Sequence, residues 1–318
     1  MSLEKKPTAL LSPGQAAHYV GMGSDFYNEF PSVRETFEIA SQVAKYNMAK
    51  LCFEDPQDRL KLTEYAQPAI LTVSLAVAKL IEYYTGVMSF IKAAAGHSLG
   101  EISALTFSKS FFMADALRLV IARAKAMQRA VPIGQGKMAA IIGLDFEKIQ
   151  EVCQQAAKGQ VVTPANVNAP DQIVIAGHRE AVDRACQLSS RAGAKKTMGL
   201  EVSAPFHCPL MEPAAREFER AFSYINLQPT EISVYQNVDN SPYGNPTAIQ
   251  EFLVRQLTSP VNWPGMIESL KKQGIQQFII VCPGKVLGGL MRRIDRSLPF
   301  FIVEDLASFN ELASQFPK

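Results

Sequence analysis

The six residues Gly96-His97-Ser98-Leu99-Gly100-Glu101 constrain this chain more than any other stretch, because they fit the G-x-S-x-G pattern of a serine carried on a sharp strand-to-helix turn. The flanks suit that geometry. Val87 to Ala95 reads as a strand ending in small residues, and Glu101 to Phe107 as the first turns of a helix. Ser98 then stands at the helix N-terminus, where the N–H of Leu99 is free to donate to an oxyanion and the helix dipole favours negative charge. Gly96 and Gly100 let the backbone crowd through such a turn. Two readings follow from the motif alone: a nucleophilic serine, or a Gly-Ser turn whose serine caps a helix.

Composition narrows the setting. At 318 residues the chain can bury one large domain or two unequal ones, and 47% hydrophobic with 19% charged residues is ordinary for a globular protein. A net charge of +2 gives no reason to expect a nucleic-acid partner. Cys52, Cys153, Cys186, Cys208 and Cys282 are scattered and form no C-x-x-C pair, so neither a disulfide framework nor a zinc site is expected and the setting reads as cytoplasmic. The segment Met1 to Lys6 lacks the apolar core of a signal peptide, and the greasiest run, Ala69 to Ile81, is too short and too interrupted to span a bilayer.

Along the chain, Ala9-Leu10-Leu11 reads as a buried strand ending in the turn-rich loop Ser12-Pro13-Gly14-Gln15. Helical patterns run over 32–51, 68–84 and 114–130. From Gly136 the texture changes to short units: strands over 138–143, 161–167, 172–177 and 195–202, with helices over 145–157 and 179–191 between them. That βαββαβ order is the ferredoxin-like pattern. The chain thus reads as an α/β protein with a large α/β-hydrolase-like domain, residues 1–133 and 204–318, into which a small subdomain, residues 134–203, is inserted. Another buried strand, Phe278 to Val281, falls in the second part of the large domain.

A serine hydroxyl needs a base to take its proton. Of the four histidines, His97 adjoins Ser98 across a turn that should make the two side chains diverge, His18 follows the first loop, and His178 precedes a small-subdomain helix. His207, in Ala204-Pro205-Phe206-His207-Cys208-Pro209, lies where the chain re-enters the large domain and is the best placed base. No carboxylate beside it is an obvious third member, so a backbone carbonyl is the expected orienter.

Over nearly its whole length the sequence resembles the malonyl-CoA:acyl carrier protein transacylases, the acyltransferases of fatty-acid and polyketide synthesis. The resemblance rests on blocks in one order: Pro13-Gly14-Gln15 with Gly21-Met22-Gly23, Gln67-Pro68-Ala69, Gly96 to Glu101, Arg123 with Gln128, Asn166-Val167-Asn168-Ala169-Pro170, His207-Cys208, Leu253 to Gln256, and Pro283-Gly284-Lys285-Val286-Leu287. It implies a ping-pong transfer of malonyl from malonyl-CoA, a substrate and not a cofactor, to the phosphopantetheine thiol of an acyl carrier protein. Ser98 is then the nucleophile and His207 the base, with the N–H groups of Gln15 and Leu99 as oxyanion hole. The main-chain carbonyl of Gln256 orients the imidazole, Arg123 binds the malonyl carboxylate, and Asn166 and Phe206 line the cleft. A monomer without metal or membrane association is expected.

The chain departs from the family pattern at Ser12, where an aromatic is usual, at Ala16-Ala17-His18, at Cys282 and at Phe206. Ala16 tolerates a positive φ less well than glycine. A phenylalanine at the position of Phe206 accompanies malonyl rather than methylmalonyl choice in polyketide acyltransferases. Two alternatives stay open: an acyl-thioester hydrolase using the same serine and histidine, and an acyltransferase for another extender unit such as methylmalonyl. Arg191, Lys195 and Lys196, and Arg292, Arg293 and Arg296, are candidates for steering an acidic carrier protein.

Overall fold

The computed structural model describes residues 3–318, so Met1 and Ser2, with which the N-terminal reading and the 1–133 segment begin, lie outside the described residues. Among the described residues ten strands occur in chain order: β1 (Thr8–Ser12), β2 (Ile91–Gly96), β3 (Gly136–Ile142), β4 (Val162–Ala169), β5 (Gln172–His178), β6 (Lys196–Gly199), β7 (Ser233–Tyr235), β8 (Val261–Asn262), β9 (Gln277–Val281) and β10 (Phe300–Val303). They form two sheets of five, ordered β10-β9-β1-β2-β7 and β6-β3-β5-β4-β8.

The larger sheet is parallel throughout. β1 and β9 are buried at every position, as strands covered by helices on both faces must be. Numbered within the sheet, the order is 3-2-1-4-5, which reverses direction between β1 and β9. Ligand crevices in such sheets form beyond the C-terminal strand ends at the reversal. The loops leaving β1, β2 and β9 all emerge at that edge.

The smaller sheet has the ferredoxin-like arrangement. β3, β4, β5 and β6 pair antiparallel, and residues 146–157 and 179–191 form its two helices. Asp145 caps the first by accepting from Lys148 N. Strand alternation splits the faces: Ala139, Ile141, Ile173 and Ile175 pack under those helices, whereas Met138, Ala140, Val174 and Ala176 join the core of the larger body. The fifth strand, β8, comes from outside residues 134–203 and pairs parallel with β4 through Asn166 and Val167.

Several elements differ from the sequence reading. The helix expected over 32–51 is two helices, Pro31–Ala44 and Met48–Phe53, because Lys45 turns left-handed at φ 65° and Asn47 caps the second. The helix expected from Pro68 begins at Thr63; its first turn is held by the N–H groups of Tyr65 and Ala66 on Leu62 O. The strand expected from Val87 starts only at Ile91, since β1 offers no partner before Thr8, and residues 86–90 form a 3-10 turn. The strand over 195–202 shrinks to Lys196–Gly199, the stretch that β3 can pair. Among the described residues no helix is long and apolar enough to cross a membrane.

Candidate active site

β2 delivers Gly96 to the crevice, and the helix Leu99–Phe107 leaves it with all nine residues buried. Between them Ser98 adopts φ 52° and ψ −106°, a strained conformation for a residue with a side chain. The turn closes so tightly that a Cβ on Gly96 would lie 1.9 Å from the carbonyl of Gly100, and one on Gly100 would lie 2.2 Å from Ser12 O. His97 N donates to Ser12 O at 3.1 Å and Ser98 N to Asn237 Oδ1 at 2.7 Å, so the strain is held from two sides. Leu99 is the first helical residue, where an N–H has no acceptor within the helix.

His207 meets Ser98 from the segment that returns from the small sheet. Its Nε2 lies 2.7 Å from Ser98 Oγ, and its Nδ1 lies 2.9 Å from Gln256 O. A carbonyl only accepts, so Nδ1 carries the hydrogen and Nε2 is left to accept the serine proton. Burial, reinforced by the Arg123 guanidinium, pushes the imidazole pKa down to about 3. The imidazole is therefore neutral at ordinary pH.

Arg123, only 1% exposed, enters from the helix Met113–Arg129. Nη1 donates to Gln67 Oε1 at 2.7 Å, while Nη2 donates to Gln256 Oε1 at 2.8 Å and to Ser98 Oγ at 3.0 Å. Its Nε has no acceptor among the described residues. Burial lowers its pKa to about 10, and the nearby Glu101 opposes that shift, so it stays a cation. Glu101 is itself buried, and burial raises its pKa to about 7 against hydrogen bonds from Tyr243, Gln256 and Asn237.

The site opens into a cavity of about 260 Å³, walled by Gln15, Ser98, Arg123 and His207 on one side and by Asn166, Asn168, Val174 and Met198 of the small sheet on the other. Phe206 lines it as well. Ala16, next to Gln15, takes φ 76° in the substituted loop. A chain of side chains ties that loop to the arginine: Gln67 Nε2 reaches Gln15 Oε1 at 3.4 Å, and Gln15 Nε2 donates to Thr63 Oγ1 at 2.9 Å.

His97 does not turn away from the site as the sequence suggested. It lines the same cavity, with Nε2 3.0 Å from Asn168 Oδ1 across the cleft. A tight elbow separates adjacent side chains, but both here face the gap between the two sheets. His178 Nδ1 instead accepts from Val161 N at 2.9 Å within the small sheet. The geometry adds Asn237, Tyr243 and the carboxylate of Glu101, for which sequence reasoning gave no role, and makes Gln67, which the sequence marks only as part of a family block, a partner of Arg123. Among the described residues no group of three or more His, Cys, Asp or Glu could hold a metal.

Known proteins match the chain over almost its whole length. The family model for the acyl transferase domain matches residues 10–297. The malonyl CoA-acyl carrier protein transacylase of Escherichia coli (strain K12) is 45% identical over 286 residues, 90% of this chain and 92% of that protein. The solved malonyl-CoA:acyl carrier protein transacylase of Xanthomonas oryzae pv. oryzae superposes with a TM-score of 0.94 at 39% identity, covering 99% of both chains. A malonyl-transacylase solved in complex with its type II polyketide acyl carrier protein gives a TM-score of 0.93 at 40% identity, covering 97% of this chain and 99% of that one. Matched almost end to end by these relatives, and with a serine elbow, a histidine and a buried guanidinium on one cavity, the chain belongs to the malonyl-CoA:acyl carrier protein transacylase family.

Proposed function

We propose that the chain moves malonyl from malonyl-CoA to the phosphopantetheine thiol of an acyl carrier protein through an ester on Ser98. Ser98 Oγ attacks the thioester carbonyl carbon as His207 Nε2 takes its proton. The oxyanion is received by the N–H groups of Leu99 and Gln15. Collapse breaks the carbon–sulfur bond, and the leaving thiolate takes the proton back from His207. In the second half the carrier thiol gives its proton to His207, its sulfur attacks the ester, and Ser98 recovers the proton as it leaves.

The observation that carries this reading is the buried Arg123 guanidinium on Ser98 Oγ, with its Nε lacking an acceptor among the described residues. A malonyl group on Ser98 places its free carboxylate beside that cation, which pairs with it through parallel N–H donors. An acetyl group leaves the cation buried without the anion, so uncharged acyl groups are disfavoured. A general esterase has no use for such a charge, which weighs against the hydrolase. Buried Phe206 on the cavity wall narrows the space for an α-methyl branch and supports malonyl over methylmalonyl.

The exposed Lys195 and Lys196 of the small subdomain, and Arg292, Arg293 and Arg296, supply positive charge for an acidic carrier protein, although Arg293 is shared with Asp171 at 3.3 Å. The free cysteines, four of the five buried, fit a reducing compartment, and we place the reaction in the cytoplasm. Incubation with malonyl-CoA and holo carrier protein, reading both malonyl-carrier and free malonate, tests the function. Transfer should far exceed release; malonate released as fast as malonyl-CoA is consumed would make the protein a hydrolase.

A further inference from the structure

Glu101 closes the serine motif, yet no step above uses it. Its carboxylate is fully buried, where a charge is costly unless it is well bonded. Three donors converge on it from two stretches far from it in the chain, the segment 237–243 and the end of the helix Pro246–Gln256. Oε2 accepts from Asn237 N at 2.9 Å and from Gln256 Nε2 at 2.7 Å, and Oε1 accepts from the Tyr243 hydroxyl.

Two of those donors belong to residues that hold the reacting groups. Asn237 receives Ser98 N on Oδ1 at 2.7 Å and donates from Nδ2 to Gly96 O at 2.8 Å, which clamps the strained elbow. Gln256 holds both other groups: its main-chain oxygen takes His207 Nδ1, and its Oε1 takes Arg123 Nη2. The Gln256 amide can serve Arg123 only if its oxygen faces the guanidinium and its NH2 faces an acceptor. Glu101 Oε2 is that acceptor, joined by Ser98 O at 3.0 Å. With Oε2 gone or withdrawn, the NH2 loses its shortest bond and keeps only Ser98 O at 3.0 Å and Asn237 Oδ1 at 3.4 Å, a looser hold on an amide whose turning would set NH2 against the guanidinium.

We propose that Glu101 is a positioning residue for the transfer, its Oε2 orienting the Gln256 amide and the Asn237 backbone and, through them, His207, Arg123 and Ser98. The inference rests on the function proposed above. What matters is where the acceptor stands rather than its charge. Glutamine at 101 keeps an amide oxygen in the place of Oε2, while its NH2 faces a Tyr243 hydroxyl that can rotate to accept. Aspartate keeps the charge but draws the acceptor back by one methylene, out of reach of two groups now held at 2.7 and 2.9 Å.

The experiment compares Glu101→Gln and Glu101→Asp with the wild type by single-turnover acylation with malonyl-CoA and with acetyl-CoA. Rates are expressed per competent site, counted from the acyl-enzyme burst, so a partly misfolded preparation does not mimic a slow one. Glu101→Gln should stay within about threefold of the wild type, and Glu101→Asp should lose on the order of tenfold or more, the size expected when a buried hydrogen bond is vacated. The malonyl:acetyl ratio should fall in Glu101→Asp only, because Arg123 loosens with Gln256. Equal per-site rates in all three proteins, or an aspartate variant faster than the glutamine one, would overturn the inference. Absence of any acyl-enzyme in the wild type would instead overturn the function proposed above.

Discussion

Nη2 of Arg123 stands 3.0 Å from the hydroxyl oxygen of Ser98, so the fixed cation of the site touches the atom proposed to carry the acyl group. The contact makes substrate reading and chemistry one problem of geometry. Any acyl group bonded to Ser98 is presented to the guanidinium at a distance set by its own chain, and malonyl is short enough to keep its carboxylate there. The same cation helps hold His207 neutral, after burial, the larger cause.

That neutrality has a sign that can be checked. With its pKa lowered to about 3, His207 stays unprotonated as pH falls through 6.5, the ordinary histidine value. The single-turnover acylation rate should therefore show no acid limb from His207 above about pH 5, best read in Glu101→Gln, where position 101 does not ionise. A limb near 6.5 would show an imidazole titrating as in water. His207→Ala should abolish most of this rate, with His97→Ala and His178→Ala losing far less. The stability counterpart follows by linkage: the unfolded chain binds a proton on His207 between pH 6.5 and about 3 that the folded protein excludes. Wild type should thus lose stability relative to His207→Ala as pH falls through that window, by up to about 1.4 kcal/mol per pH unit.

Ala16 has the left-handed φ of 76° in the loop where the sequence departs from the family pattern. Ala16→Gly should raise stability by up to about 1 kcal/mol in denaturant unfolding, since a Cβ strains this conformation. No gain, together with unchanged activity, would mean that the loop relieves the strain elsewhere.

Lys195 and Lys196 are exposed on the small subdomain. Reversing both to glutamate should raise the KM for the carrier protein while sparing acylation by malonyl-CoA, and the effect should shrink in salt because exposed charges are screened beyond about 10 Å at 0.1 M. A KM indifferent to both the substitution and salt would return these lysines to plain solvated surface.

That Ser98, His207 and Arg123 meet on one cavity was legible because glycine, serine, histidine and arginine stand at family spacings. The small subdomain was readable too: its strands alternate, and Asp145 marks a helix start. Less was legible where structure depends on partners far away in the chain. Lys45, with no glycine to signal it, breaks a helix, and residues 87–90 lose their strand only because β1 starts at Thr8. After residue 205 the helices Pro246–Gln256 and Leu306–Gln315 went unread, although Asn245 with Pro246 and the capping Asp305 announce them. Asn237 and Gln67 carry no local signal, because a side-chain amide matters here only through what the fold sets against it.

The most direct test is the ratio of malonyl to acetyl transfer in Arg123→Ala. Removing the guanidinium takes away the partner of the malonyl carboxylate and the buried charge that disfavours acetyl. Losing such a charge-assisted pair costs roughly 2–5 kcal/mol at the transition state, some 30- to several-thousand-fold in kcat/KM. Malonyl transfer should fall by that factor while acetyl transfer stays level or rises, so the ratio collapses; a folding defect would depress both and leave it unchanged. A ratio that stays at the wild-type value in a folded variant would contradict the account, because Arg123 would then not read the carboxylate.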